Sequence, residues 1–269
     1  MVTPMGPIAT KGGAGELLRE WRNRRRMSQL DLALEANVSA RHLSFVETGR
    51  SQPSRKLLLS LAEHLEVPLR EQNALLLAAG YAPIFSETPL DTDEMRPVRH
   101  ALKAILTGHE PYPALIVDHQ WEMVASNEPA QAILRDGVSE DLLAPPANAL
   151  RITMHPGGLA PHILNFGEWS AHLITRLHRQ ALLSQDPALA ELERELLGYP
   201  GVEPSSGIAE SAEMLFVALR LRRPSDGTVL SMFSTLATFG TALDVTLEEL
   251  SIESFFPADQ PTEDYLRGN

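Results

Sequence analysis

The sequence of 269 residues contains no cysteine. This absence excludes disulfide bonds, thiolate metal ligands and a cysteine nucleophile. The chain also lacks a run of about 18 apolar residues, so we expect no membrane span. The segment Met1–Gly15 has no apolar stretch like that of a signal peptide. With four glycines and two prolines, it predicts a disordered tail on a cytoplasmic protein.

Motifs for catalysis are missing as well. The sequence has no glycine-rich phosphate loop, no Gly-x-Ser-x-Gly turn and no His-x-x-x-His pair. The nine histidines are scattered over different predicted loops and helix faces. We therefore expect a protein that is not an enzyme, with no metal site and no cofactor.

Charge is distributed unevenly along a chain whose net charge is -12. Residues 1–80 contain 11 Lys and Arg against 8 Asp and Glu, which gives +3, whereas residues 81–269 contain 12 against 27, which gives -15. The total argues against binding to nucleic acid, but the asymmetry predicts a slightly basic domain followed by a strongly acidic one.

The pattern of apolar and turn-forming residues agrees with this division. Residues 16–80 predict five helices, and residues 81–97, which carry prolines and acids, predict a linker. Residues 98–265 predict an α+β domain with a five-stranded antiparallel sheet. Its expected strands are 114–118, 121–126, 214–222, 228–239 and 250–256, and Gly227 lies in the turn between the third and fourth.

Within the first domain, residues 28–49 predict two short helices that cross closely. Ser28 and Ser39 are expected N-caps, and Asn37 lies where the turn needs a left-handed backbone. Gly49 can take the left-handed position after the second of these helices. The inward-facing positions are predicted to be Val38, Leu43 and Val46. The first turn and outer face of the second helix are then left exposed.

These residues resemble the helix-turn-helix of the lambda-repressor and Cro type, the XRE family, over residues 16–80. The matching motifs are Ser28-Gln, Leu32-Ala, Val38-Ser and Leu43-Ser-x-Val-Glu-x-Gly-Arg-x-x-Pro. The resemblance implies binding to double-stranded DNA, a helix in the major groove and a homodimer on palindromic sites. It also places Arg22 and Glu47 at the family's internal ion pair.

The resemblance implies two sets of DNA-contacting residues. Those expected to face base edges are Ser39, Ala40, Arg41, Ser44 and Phe45. Those expected at phosphates or neighbouring backbone are Gln29, Arg50, Arg55 and Lys56. Arg41 can bind guanine bidentately. Leu30 and Leu34 are apolar where the family is usually polar, which predicts that they contact the second domain or a second subunit.

The second domain resembles the ligand-binding domain of MmyB-like transcription regulators, which has a PAS-like fold. The matching motifs are Pro113-Ala-Leu-Ile-Val-Asp-x-x-Trp-x-x-Val-Ala-x-Asn, Asn148-Ala-Leu-Arg-Ile-Thr-x-His, Phe166-Gly-x-Trp-Ser-x-His and Ser251-Ile-Glu-Ser-Phe-Phe-Pro. The resemblance implies a hollow between sheet and helices that holds a small apolar ligand such as a fatty acid.

Candidate ligand-binding residues follow from the predicted helix and strands. The apolar candidates are Phe166, Trp169, Leu173, Phe216 and Phe233. The polar candidates for orienting a carboxylate are Arg151, His155, His172 and Arg176. The same apolar stripe fits an ordinary packed core, so the sequence leaves alternatives: a protein-interaction or dimerisation module without a ligand, or a haem or flavin sensor.

Overall fold

The computed structural model describes residues 13–184, 186–203 and 217–268. Their contacts divide the chain into two compact units. The first consists of Met1–Pro89 and Gly240–Glu248, and the second of Leu90–Phe239 and Glu249–Asn269.

The first unit contains the five predicted helices. They are α1 (Ala14–Arg24), α2 (Gln29–Glu35), α3 (Ala40–Glu47), α4 (Arg55–His64) and α5 (Leu69–Ala78). Serines begin three of them: Ser28, Ser39 and Ser54 each accept a hydrogen bond from the backbone N–H three residues on. Each bond satisfies a donor that the first helical turn leaves unpaired.

Helix α1 begins within the segment predicted to be a disordered tail. Residues 1–12 lie outside the described residues, but Ala14 is buried and Gly15 packs against α3. A Cβ on Gly15 would lie 2.2 Å from the carbonyl oxygen of Val46. The predicted boundary at residue 16 is therefore corrected, because Gly15 is the residue that lets α1 approach α3 closely.

The turn between α2 and α3 depends on Asn37, whose φ is +52°. The sequence predicted this left-handed conformation. We expect Asn37→Gly to change the free energy of unfolding little and Asn37→Val to lower it by about 1–2 kcal/mol, because a β-branched residue is strained there. Urea unfolding of both variants tests this expectation, and equal stability of the two would contradict it.

The second unit is built on the predicted five-stranded antiparallel sheet. In chain order the strands are β1 (Ala114–Val117), β2 (Met123–Ser126), β3 (Leu219–Arg222), β4 (Val229–Thr238) and β5 (Ser251–Pro257). Their spatial order is β2-β1-β5-β4-β3, so β5 lies at the centre. The predicted third strand began at residue 214, but residues 214–216 lie outside the described residues.

Helices cover the sheet and connect its strands. They are α6 (Arg96–Gly108), α7 (Glu128–Gly137), α8 (Glu140–Leu143), α9 (Ala149–Met154), a 3-10 turn (Ala160–His162), α10 (Phe166–Ser184), α11 (Pro187–Leu196) and, later, α13 (Gln260–Arg267). Asn127 caps α7 and also accepts a hydrogen bond from the backbone of Ala114 in β1. The predicted linker 81–97 is corrected at both ends, because Tyr81 and Ile84 pack against the core of the first unit and α6 begins at Arg96.

The connection between β4 and β5 belongs to the first unit, although the sequence placed it in the second domain. It contains α12 (Val245–Glu248). The Glu248 carboxylate accepts a hydrogen bond of 2.8 Å from the backbone N–H of Leu69, at the start of α5. Asp244 accepts two hydrogen bonds from Thr88. One, of 3.2 Å, comes from the Thr88 backbone N–H, and the other, of 2.6 Å, comes from the Thr88 hydroxyl.

Candidate DNA-binding surface and ligand cavity

One face of α3 is buried and the opposite face is available to solvent. Leu43 and Val46 are almost fully buried in the core of the first unit. Arg41 is exposed on the other face, and Ser44 and Phe45 are half-buried beside it. Helical periodicity alone produces this division, because residues three and four positions apart share a face. The exposed face is the part of α3 that can enter a major groove.

Two arginines flank the Phe45 ring. The guanidinium carbon of Arg41 lies 5.4 Å from the ring centroid, and that of Arg50 lies 6.0 Å from it. These distances are within the range of a cation–π interaction. Arg55 and Lys56 are exposed in the first turn of α4. Within the part of the chain that the structure describes, no acidic group lies within 4.0 Å of these four cations.

Behind α3, the predicted ion pair fixes its position relative to α1. Arg22 donates two hydrogen bonds to the Glu47 carboxylate, at 2.6 and 2.9 Å, and a third to the carbonyl of Met27. Gln29 donates to the same carboxylate at 2.8 Å. Burial raises the pKa of Glu47, but the hydrogen bonds from Arg22 and Gln29 and the charges of Arg22 and Arg19 together outweigh it, so the pKa lies below its usual value.

The second unit contains a cavity between the sheet and its helices, with a volume of about 80 Å³. Strand register determines the side of the cavity that the sheet forms. Leu115 pairs with Glu253, and Leu219 pairs with Met232, and these four side chains project from the same face of the sheet into the cavity. Helices α7, α9 and α10 supply most of the remaining lining. The lining is almost entirely apolar, and it includes both Trp121 and Trp169.

Two of the described lining residues, Thr153 and Glu253, carry polar side chains, and Glu253 is the ionisable one. It lies on the central strand β5, and its side chain is 7% exposed. Arg176 of α10 lies 3.7 Å from the carboxylate and 4.4 Å above the Trp121 ring. Burial raises the pKa of Glu253, and neither Arg176 nor the hydrogen bond with Ser234 cancels that rise. Among the described residues that line the cavity, Glu253 alone is ionisable.

Comparison with known proteins agrees with both parts of this geometry. The family described as helix-turn-helix matches residues 18–72. The family described as MmyB-like transcription regulator ligand binding domain matches residues 98–268, well over half of the chain. The chain belongs to the MmyB-like transcription regulator family. It is therefore a DNA-binding transcription regulator with a ligand-binding domain.

Other comparisons of the regulator add little. None of the curated proteins matches it. A solved structure titled "Structure of an RNA-binding Light-Oxygen-Voltage Receptor" is 14% identical, with a TM-score of 0.26, and the match covers 97% of this chain but only 62% of that one. In the described residues of the regulator, no helix is long and apolar enough to cross a membrane.

The predicted DNA-contacting residues of the regulator occupy three environments. Arg41, Ser44 and Phe45 lie on the outer face of α3, and their contacts with bases remain predictions. Ser39 is the N-cap of α3, with its hydroxyl bonded to the backbone of His42. Ala40 packs against the core, and the Gln29 amide is bonded to Glu47. Gln29 therefore has only part of its amide left for a phosphate.

Among the predicted apolar ligand residues, Trp169 and Leu173 line the cavity. Phe166 is half-buried at the start of α10 but is not part of the lining. Phe233 is corrected more strongly, because it lies on the other face of the sheet and stacks on Phe256 at 5.4 Å. The strand alternation was predicted, but not which face meets the helices. Phe216 lies outside the described residues.

The predicted carboxylate-orienting residues do not line the cavity. Arg151 forms a bidentate ion pair with Glu195 of α11, at 2.8 and 2.7 Å. The same carboxylate accepts a hydrogen bond from Tyr199. Burial raises the pKa of Tyr199 to about 12, so this hydroxyl stays protonated and donates. Arg151 thus already has a partner and is corrected to a structural role.

The three other polar candidates are also placed differently from the prediction. His155 accepts a hydrogen bond from the backbone N–H of Gly157 and shapes that loop. His172 is exposed on α10, with its ring 5.7 Å from that of Trp169. Arg176 comes nearest, since it contacts the cavity-lining Glu253 without lining the cavity itself.

Sequence reasoning missed Trp121 and Glu253. A signal for Glu253 exists: it is an acid inside the apolar strand pattern Ser251-Ile-Glu-Ser-Phe-Phe. Strand alternation places Glu253 and Phe255 on one face, so a half-buried sheet forces the carboxyl to face either solvent or the helices. The structure places it toward the helices, where it lines the cavity.

Proposed function

We propose that this regulator binds operator DNA as a homodimer in the cytoplasm, with α3 in the major groove, and that a small apolar ligand in the cavity changes its DNA affinity. One observation carries the proposal: the apolar cavity lies in a chain whose other unit exposes Arg41 on the outer face of the helix-turn-helix.

The DNA side of the proposal rests on Arg41, Arg50, Arg55 and Lys56. Guanidinium groups suit both guanine edges and phosphates, and Arg41 lies on the groove-entering face of α3. A single helix-turn-helix makes few base contacts, which favours a dimer on two half-sites. Leu30 and Leu34, which are 59% and 71% exposed on α2, are apolar positions that a second subunit can cover.

The ligand side rests on the size and apolar character of the cavity. A cavity needs a volume of roughly 10–15 Å³ to hold one water molecule, which has one non-hydrogen atom. A cavity of 80 Å³ therefore holds a molecule of about five to eight non-hydrogen atoms. A fatty acid is the class that the family resemblance implies. Short acyl chains fit the cavity as it stands, and longer chains require it to widen. The described lining residues include no histidine or tyrosine to bind a haem iron.

The connection between β4 and β5 supports communication with the DNA-binding unit. Met232 of β4 and both Glu253 and Phe255 of β5 line the cavity. The residues that join these two strands, 240–248, pack within the first unit and bond to the N-terminus of α5. A ligand that displaces β4 or β5 therefore also displaces residues 240–248, which belong to the DNA-binding unit.

Two measurements on purified full-length regulator test the proposal. The first is mass spectrometry of an organic extract of the native protein. The second is operator binding, at fixed salt, with and without the extracted compound. We expect a stoichiometric small lipid, and a change in operator affinity of about 5- to 150-fold. An empty extract would favour an interaction module without a ligand, while unchanged operator affinity would contradict the coupling.

A separate prediction concerns residues 240–248, the connection between β4 and β5. Asp244→Ala removes the carboxylate that accepts from Thr88, so we expect ligand to change operator affinity by less than about twofold. The affinities for ligand alone and for operator alone should remain close to those of the wild type. Asp226→Ala is the matched control, since Asp226 accepts from Thr228 and Arg223 in the β3–β4 hairpin of the second unit. Full coupling in the Asp244 variant would refute this route.

A further inference from the structure

The second unit has a groove beside the ligand cavity, with a volume of about 420 Å³. Its described lining comes from the residues that precede β1, from α7, from the β3–β4 hairpin and from α13. Glu110, Pro111 and Ala132 of this lining are exposed, so the groove opens to solvent. It is larger than the cavity of about 80 Å³, which holds only a short acyl chain.

The face of the sheet that lines the cavity continues into the groove. Leu221 of β3 lines the cavity, and its partner in the strand register, Leu230 of β4, lines the groove. Met232 follows Leu230 by two positions on β4 and lines the cavity again. Paired residues, and residues two positions apart on a strand, project from the same face of a sheet. The cavity and the groove are therefore successive stretches of one apolar surface.

Helix α7 forms the opposite side of both spaces. Ala130 and Leu134, which are four positions apart, line the cavity, whereas Pro129 and Ala132, which are three positions apart, line the groove. Ile133 belongs to both linings and is half-buried. The Ile133 side chain therefore lies at the boundary between the cavity and the groove.

We propose that an acyl chain too long for the cavity extends past Ile133 into the groove, and that Ile133 determines the chain length that the regulator prefers. The inference rests on the proposed ligand-binding function and identifies where a long chain is accommodated. Displacing one half-buried side chain disturbs the core less than displacing Trp169 or Leu173, which are almost fully buried in close packing. One end of the chain also keeps its hydration in the open groove.

The test compares two probes by isothermal titration calorimetry on the full-length protein, with dodecanoate kept below the concentration at which it forms micelles. Dodecanoate has more non-hydrogen atoms than the cavity holds, whereas benzene fits within it. We expect both to bind, and dodecanoate to displace benzene because they share the cavity. Ile133→Phe adds atoms at the boundary, so it should weaken dodecanoate binding by about fivefold or more relative to benzene binding. Ile133→Ala should shift the ratio of the two affinities in the opposite direction.

Met123→Ala is the matched control. Met123 is also half-buried and belongs to the described lining of the cavity but not to that of the groove. Its change to alanine removes as many non-hydrogen atoms as Ile133→Ala does. This variant should change the affinities for both probes in the same direction and shift their ratio less than Ile133→Ala does.

An equal shift of the ratio in Met123→Ala and Ile133→Ala would overturn the inference, and so would an unchanged ratio in Ile133→Phe. Circular dichroism shows whether each variant folds, and the comparison of the two alanine variants decides the matter if Ile133→Phe does not fold. A wild type that binds benzene but not dodecanoate would overturn this inference alone. Failure of both probes to bind would contradict the proposed ligand-binding function as well.

Discussion

Arg22→Met is expected to lower the free energy of unfolding of the first unit by about 3–5 kcal/mol. Arg22 contributes two of the three side-chain hydrogen bonds that hold the Glu47 carboxylate. The Glu47 side chain is 1% exposed, so without Arg22 its charge is buried with only Gln29 as a partner. Breaking one side of a buried ion pair is costly for this reason.

The pH dependence of this loss follows from the pKa of Glu47. In the wild type that pKa is lowered, so the pair's contribution is fully present above the ordinary value of 4.5 and is lost as pH falls through the lowered value. In the variant, burial without Arg22 raises the pKa instead. In the variant, Glu47 therefore takes up a proton at a higher pH than in the wild type, and this removes the cost of its buried, unpaired charge. The difference in free energy of unfolding between the two proteins should shrink as pH falls toward 4.5.

Urea unfolding, followed by the fluorescence of Trp21, measures this effect. Trp21 is buried in the core of the first unit, and changing Trp121 and Trp169 to phenylalanine removes the other tryptophan signals. The double variant Arg22→Met/Glu47→Leu should recover most of the loss, since it removes both charges.

The exposed pair between Arg70 and Glu87 supplies the control. Glu87 is 57% exposed, and Glu87→Gln should cost less than about 1 kcal/mol. A loss below about 1 kcal/mol in Arg22→Met as well would mean that the buried pair contributes no more than a surface pair. Its role in positioning α3 would then be abandoned.

The helix-turn-helix was predictable because its determinants are local. Ser28 and Ser39 cap helices through backbone groups three residues away, and Asn37 and Gly49 adopt left-handed conformations within single turns. Each signal is contained in four or five residues of sequence. The ion pair of Arg22 and Glu47 was identified only through family resemblance, since nothing local connects two residues on different helices.

The ligand cavity was harder to predict because its residues are brought together by strand register. Glu253 shares the helix-facing side of the sheet with Leu115 of β1, its partner in the strand register. Arg151 illustrates the opposite error: it looked available for an anion, but its partner Glu195 lies on α11, far away in sequence. The sequence shows which residues carry charge, but not which charges are already paired.

The same limit applies to the segment 240–248. Strand alternation predicted β4 and β5 on either side of it, and a connection between two antiparallel strands ordinarily stays with its own sheet. Its membership of the first unit depends on the hydrogen bonds of Asp244 and Glu248 to residues that precede them by more than 150 positions. No local pattern reports such a pairing.

Arg41→Ala is expected to lower affinity for the operator by about 5- to 150-fold, that is, by about 1–3 kcal/mol. Arg41 is exposed on α3, and the Phe45 ring holds its guanidinium from one side. This contact reduces the freedom that the side chain loses on binding a guanine edge. Arg41→Lys retains the charge but loses the planar fork, so it should bind more weakly than the wild type and discriminate less between sites.

A comparison with Lys56→Ala separates base recognition from phosphate contact. Lys56 is exposed in the first turn of α4, and its loss should weaken all duplexes alike and reduce the salt dependence by about one phosphate contact. Fluorescence anisotropy on an operator selected from randomised duplexes, and on the same duplex with one half-site scrambled, measures both effects. If Arg41→Ala weakens both duplexes equally, Arg41 contacts phosphate, and the recognition of bases must come from Ser44 and Phe45 instead.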